Sequence, residues 1–116
     1  MARAATTSDV FNAIAEPRRR QIIELLARGG EHGVGELAGE LRIPQPAVSK
    51  HLRVLRQVRL VSVNRRGRRR VYRVNAQELK PVHDWVKNFE RFWTQQLSRI
   101  KQRAEEAARE KLKQRE

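Results

Sequence analysis

Between Leu41 and Gln77 the chain carries eleven basic side chains and no acidic one, and inside that run the apolar residues change their repeat. Val48, Leu52 and Leu55 fall at i, i+4 and i+7, which is one face of a helix. Beyond them, Leu60, Val61, Val63 and then Val71, Tyr72, Val74 are β-branched or aromatic runs that flank Asn64-Arg65-Arg66-Gly67-Arg68-Arg69-Arg70. A helix must therefore give way to two short strands joined at a glycine turn, a β-hairpin whose tip is almost all arginine.

The basic residues are Arg42, Lys50, Arg53, Arg56, Arg59, Arg65, Arg66, Arg68, Arg69, Arg70 and Arg73, bounded by Glu40 and Glu78. They make up most of the formal net charge of +13, so the rest of the chain is close to balanced. Such one-sided charge repels itself, and a polyanionic partner is the common reason to keep it. An ordinary solvated face mixes signs, and this one does not.

Upstream, Val10, Phe11, Ile14 and Ala15 predict a short helix, with Thr6 to Asp9 as candidate caps. Glu16-Pro17 restarts the chain, since proline fits a first helical turn. Ile22, Ile23, Leu25 and Leu26 mark the next inward face, Arg18 to Arg20 crowd its first turn, and Gly29-Gly30 predicts a left-handed C-terminal cap. A third helix is expected over about Val34 to Leu41, on Leu37, Ala38 and Leu41. Ile43-Pro44-Gln45-Pro46 reads as a rigid turn, because proline disfavours helical geometry in the residue before it. The fourth helix is then expected from Pro46 to Val58.

Asn75-Ala76-Gln77-Glu78 has the form of a capping box. It would open one long last helix with Val82, Trp85, Val86, Phe89, Phe92, Trp93, Leu97 and Ile100 on one stripe. Past Lys101 the residues are Ala, Glu, Lys, Arg and Gln, an exposed helix expected to fray. The order helix, helix, helix, turn, helix, hairpin, helix is a mainly α winged helix-turn-helix with a β-hairpin wing. Residues 1–101 form that domain, and 102–116 a charged C-terminal helical tail.

In this architecture the fourth helix enters the major groove of double-stranded DNA. Opposite its apolar stripe lie Pro46, Ser49, Lys50, Arg53 and Gln57. Gln45, Ser49 and Lys50 are the base-contact candidates, since glutamine can pair with adenine N6/N7 and lysine with guanine O6/N7. Arg53 and Arg56 suit phosphates, and His51 at the flank suits packing or a phosphate hydrogen bond. Arg65, Arg66, Arg68, Arg69 and Arg70 suit a wing tip reaching the minor groove or backbone, with strand alternation turning some of them back to the body. Trp85, Phe89, Phe92 and Trp93 hold four of the six aromatics. One small domain does not easily cover them, so a second copy meeting them together with Phe11 and Ile14 is expected.

The stretches "DVFNAIAEPRRRQIIELL" (9–26), "GELAGELRIPQPAVSKHLRVLRQVRLV" (35–61) and "RRGRRRVYRV" (65–74) resemble the ArsR-type transcriptional repressors. With the last helix, the resemblance covers about residues 9 to 100. It implies a homodimeric repressor paired through its first and last helices, reading DNA with "PAVSKHLRVL". Metal-sensing members that this chain resembles have a Cys-x-Cys pair at the start of the third helix, where Gly33-Val34-Gly35 stands here. Others bind zinc through Asp, His and Glu of the last helix, where this chain has only His83, Asp84 and Glu90. His32, His51 and His83 are read as surface or packing histidines, so no metal site and no cofactor is expected. The family usually has glycine where Arg59 stands, ending the recognition helix in a left-handed turn. The sequence leaves open whether this helix ends differently or whether a phosphate contact offsets the strain.

The chain has no cysteine, which excludes disulfides and thiolate metal sites. Residues 1–9 do not read as a signal peptide, and no window approaches a membrane span, so a cytoplasmic protein without membrane contact is expected. No paired carboxylates, nucleophile–base pair or phosphate-cradling glycine loop suggests an enzyme. Two readings remain: a sequence-specific regulator, a repressor on a near-palindromic operator, and a sequence-tolerant architectural or RNA-associated binder. Tyr72 is the only aromatic in the basic run, which disfavours single-stranded RNA. The releasing signal, whether small molecule or protein effector, is not specified by any motif.

Overall fold

The first helix is five residues long, too short to persist without help from its neighbour. In the computed structural model, which describes residues 9–115, α1 spans Val10–Ile14 and α2 spans Pro17–Gly29. The candidate caps at positions 6 to 8 lie outside the described residues. Asp9 caps α1, its carboxylate accepting from the Asn12 N–H at 2.7 Å. The far end of α1 is closed by α2. The Arg19 guanidinium donates to the Ala13 and Asn12 carbonyls, and Arg20 Nη1 donates to those of Ile14 at 2.8 Å and Ala15 at 3.2 Å. These arginines satisfy orphan carbonyls and place positive charge at the negative end of the helix dipole.

Helix α2 starts as the Glu16-Pro17 signal predicts: Pro17 lies in the first turn, and the Glu16 carboxylate accepts from the Arg18 N–H at 2.9 Å. Its end differs. Gly30 has φ 80° and ψ −146°, so the glycine is needed, but for a more extended backbone than the left-handed helical cap expected. Helix α3 (Val34–Leu41) follows, with the Glu36 carboxylate accepting from the Gly33 N–H at 2.8 Å. Arg42 then adopts φ 58°, and the Ile43 N–H reaches back to the Ala38 carbonyl at 3.2 Å.

Helix α4 (Gln45–Gln57) begins one residue earlier than expected. Pro44 is its N-cap, and Pro46 occupies the first turn, where a missing N–H costs nothing. Gln45 therefore belongs to the helix and not to the turn. At the other end Arg59 has φ 65°, with its N–H bonded to the Arg56 carbonyl and the Leu60 N–H bonded to that of Leu55, both at 2.9 Å. This is the paired closure that glycine usually supplies, made here with arginine. The helix ends in the left-handed turn despite the substitution.

Strands β1 (Val61–Arg66) and β2 (Arg69–Val74) pair antiparallel from Val61↔Val74 to Arg66↔Arg69. Gly67, at φ 65°, makes the tight turn. His32 adds one antiparallel bridge to the free edge of the hairpin, exchanging both backbone hydrogen bonds with Tyr72. Ile22, Leu26, Leu37, Val48, Leu52, Leu55 and Leu60 are buried where α2, α3, α4 and the base of the hairpin meet. Each such side chain contributes about 1.5–3 kcal/mol on leaving water, and together they fix the outward face of α4.

The expected capping box does not form. Ala76–Leu79 is a 3₁₀ turn, and Asn75 makes no side-chain cap to it. Asn75 instead donates through Nδ2 to the Arg59 carbonyl at 2.9 Å and accepts from the Ser62 hydroxyl at 3.4 Å. The single long last helix is also interrupted. Helix α5 (Lys80–Lys87) closes with Asn88 and Phe89 N–H groups bonded to the Trp85 and Val86 carbonyls, and α6 (Glu90–Arg115) follows. The i→i+3 bonds tighten the chain at Asn88, a poor helix former.

The chain divides into two units, residues 1–82 and 83–116. In the second, α6 runs without a break through positions 101 and 102. Trp85 and Phe89 meet edge to face, with ring centroids 5.1 Å apart. Phe92, Trp93, Leu97 and Ile100 are all more than half exposed.

The placement of Asn75 separates two variants that a capping box would treat alike. Asn75→Ala should cost about 1 kcal/mol in urea unfolding through the lost bond to Arg59, and Glu78→Ala should cost little. Equal losses would restore the box.

Candidate nucleic-acid interface

The apolar stripe of α4 is buried and its opposite face is open: Gln45, Pro46, Ser49, Lys50, Arg53, Arg56 and Gln57 are all exposed. Gln45, Ser49 and Lys50 lie in the first two turns, where a recognition helix approaches base edges. Lys50, Arg53 and Arg56 form no ion pair among the described residues. His51 sits differently. It lies on the flank of α4 toward α2, half-buried, with Nε2 3.5 Å from Glu16 Oε2. That position suits bracing of α4 against the start of α2.

The hairpin register sets Arg65 opposite Arg70 and Arg66 opposite Arg69. Like charges directly across a strand pair are destabilising, and the protein answers the two pairs differently. Arg66 is held by Glu31 through two bonds, Nε to Oε1 at 3.2 Å and Nη2 to Oε2 at 3.0 Å. Arg69 donates to Glu36, the same carboxylate that caps Gly33. Arg65 and Arg70, on the other face, and Arg68 in the turn form no ion pair among the described residues. The wing thus separates its arginines into two that are neutralised against the body and three that face solvent. Sequence reading expected such a division but missed the two acids. Glu31 and Glu36 lie outside the acid-free run and more than thirty residues from their partners, and no local signal joins them.

The hydrogen bond from Arg66 holds the Glu31 carboxyl below its ordinary value, and Glu31 in turn raises Arg66. Glu36 is lowered first by the Gly33 N–H and then by Arg69. Among the described residues no three His, Cys, Asp or Glu side chains gather as metal ligands. His32 Nδ1 lies 2.9 Å from the Gly30 carbonyl, and His83 is exposed. No helix of the described residues is long and apolar enough to cross a membrane.

Because both carboxyls are lowered on folding, their tethers add stability above the ordinary value of 4.5 and lose it as pH falls through the lowered values. In a carboxyl NMR titration, Arg66→Gln should move Glu31 back up toward 4.5 and leave Glu36 in place. An unmoved Glu31 would mean that the Arg66 contact does not persist in solution.

Residues 16–63 match the family described as "Bacterial regulatory protein, arsR family". The transcriptional repressor SdpR of Bacillus subtilis is 37% identical over 82 residues, covering 71% of this chain and 90% of its own length. An ArsR-like transcriptional regulator from Rhodococcus sp. RHA1 superimposes with a TM-score of 0.66 at 31% identity, covering 87% of this chain and 92% of that one. The homodimeric winged helix-turn-helix DNA-binding domain Mb0332 of Mycobacterium bovis gives 0.58 at 31% identity, covering 70% and 74%. With its buried helix-turn-helix core, arginine-tipped wing and these likenesses, the chain belongs to the arsR family of bacterial regulatory proteins.

Proposed function

We propose that the protein is a transcriptional repressor that binds a near-palindromic DNA operator as a homodimer. The observation that carries this reading is uncompensated charge on both α4 and the wing. Lys50, Arg53, Arg56, Arg65, Arg68 and Arg70 are exposed without an acidic partner among the described residues. A cationic array of this kind exchanges its counterions for duplex phosphates. In this reading Gln45, Ser49 and Lys50 contact base edges, Arg53 and Arg56 hold phosphates, and Arg65, Arg68 and Arg70 enter or border the minor groove.

The dimer is supported by apolar exposure. Phe11 is 42% exposed, and Trp85, Phe89, Phe92 and Trp93 are each 39% exposed or more. Ile14 is half-buried against the core. A monomer leaving this many large apolar side chains in water is disfavoured, and Mb0332, of the same fold, is described as homodimeric. A two-fold pair sets two recognition helices about one DNA turn apart. The repressor role follows SdpR, which is named as one. Such a protein works in the cytoplasm.

Selection from a random duplex pool should enrich an inverted repeat with half-sites about ten base pairs apart. Tight binding without enrichment would favour the sequence-tolerant reading. Lys50→Ala should weaken binding to the enriched site by about 1–3 kcal/mol and binding to random duplex by less; equal losses would make Lys50 a phosphate contact.

Within the wing, Arg65→Ala with Arg70→Ala should lower the salt slope of binding by roughly 0.9 for each phosphate contact removed. The pair Arg66→Ala and Arg69→Ala should change it less, since these side chains are already engaged. The reverse order would reassign the two faces of the hairpin.

A further inference from the structure

A groove on the wing side of α4 runs from the end of the exposed helix face to the base of the hairpin. It is lined by Arg56 at the end of α4, by Arg59 in the left-handed turn, and by Arg73 and Ser62, which face each other across the base of the hairpin. One acid, Glu78, also lines it, and Glu78 pairs with none of the three arginines. The groove is built by a chain of hydrogen bonds. Arg73 Nε donates to Ser62 Oγ at 3.2 Å, Ser62 donates to Asn75, and Asn75 Nδ2 donates to the Arg59 carbonyl. Arg59 and Arg73 are thereby tied to one frame.

Arg59 carries a second, independent signal. Its φ of 65° is one of only two positive values at non-glycine residues among the described residues. A β-carbon is disfavoured in this conformation, and glycine would relieve the strain. Strain retained where a glycine would remove it points to a use for the side chain.

We infer that Arg56, Arg59 and Arg73 form a phosphodiester clamp at the base of the wing. With α4 in a major groove and the wing at the adjoining minor groove, the sugar–phosphate strand between them passes over this flank. The clamp holds that strand and sets the depth to which α4 enters. The inference rests on the DNA-binding reading, and it adds Arg59 and Arg73 to the contacts.

The test measures duplex binding across a salt series, together with the melting temperature, for the wild-type chain, Arg59→Gly, Arg59→Lys and Arg73→Gln. Arg59→Gly should melt higher, by about 4 °C, yet bind duplex several-fold more weakly, with a salt slope smaller by about 0.9. Arg59→Lys keeps the charge and should keep the slope. Arg73→Gln should lower the slope as Arg59→Gly does. A wild-type chain that binds duplex, with a slope unchanged in Arg59→Gly, overturns the clamp alone; a wild-type chain that binds no duplex overturns the DNA reading itself. Titration with inorganic phosphate, followed by NMR of the Arg59 and Arg73 side chains, separates the two phosphate sources. Saturation well below millimolar phosphate, with duplex binding indifferent to Arg59→Gly, assigns the groove to a free anion and overturns the clamp.

Discussion

Repulsion between arginines that the hairpin register forces opposite each other governs the design of this protein. A two-residue turn at Gly67 fixes the pairing, and the pairing stacks Arg65 on Arg70 and Arg66 on Arg69. One pair is relieved from inside the molecule. Glu31, in the loop that also bridges to Tyr72 through His32, and Glu36, in the first turn of α3, each take one arginine. The wing is therefore anchored to the helix-turn-helix body by its neutralised face, and the opposite face keeps its charge. Anchoring and display need each other: without Glu31 and Glu36 the hairpin would carry two repulsive pairs on so short a sheet, and with two further acids on Arg65 and Arg70 the tip would keep only Arg68 to attract a polyanion.

Helix ends show the same use of arginine for several tasks. Arg19 and Arg20 close α1 by taking its last carbonyls. Arg42 and Arg59 close α3 and α4 from within the left-handed region, where the backbone bonds, not the side chains, do the capping. In the first case the guanidinium is used up. In the second the guanidinium takes no part in capping, because the closures are made by the N–H groups of Ile43, Arg59 and Leu60. The turn fixes where the backbone of Arg59 stands at the end of α4 and leaves its exposed side chain available for a contact outside the protein.

Those distinctions mark the limit of what the sequence could reveal. The helix order, the stripe Val48–Leu52–Leu55 and the hairpin were legible because each is written in a local period: 3.6 for the helices, 2 for the strands. The open face of α4 followed from the same wheel. The capping motif at Asn75 failed because an asparagine can satisfy any nearby backbone group. Here the Arg59 carbonyl, sixteen residues away in sequence, competes successfully with the 3₁₀ turn that follows. The break at Asn88 was invisible in an apolar stripe that continues on both sides of it. The acids that pair with Arg66 and Arg69, the role of Arg19 and Arg20, and the turn of His51 toward Glu16 all depend on contacts between elements, and no spacing within one element encodes them.

Counting basic residues therefore overstates the interface, and subtracting the engaged ones corrects it. Of the five arginines at the wing tip, Arg66 and Arg69 are engaged, so the tip offers Arg65, Arg68 and Arg70. Adding Arg59 and Arg73 beside Arg56 restores the two charges, but in a different place, on the flank of α4 nearest the hairpin. The exposed cations then stand in three places, on α4, at the base of the hairpin and at the wing tip, with Arg73 on the hairpin face of Arg66 and Arg69 and with Arg65 and Arg70 on the other. On the proposed reading a duplex must bring its backbone past all three places at once, so that the path of the backbone adds to the base contacts in selecting a site.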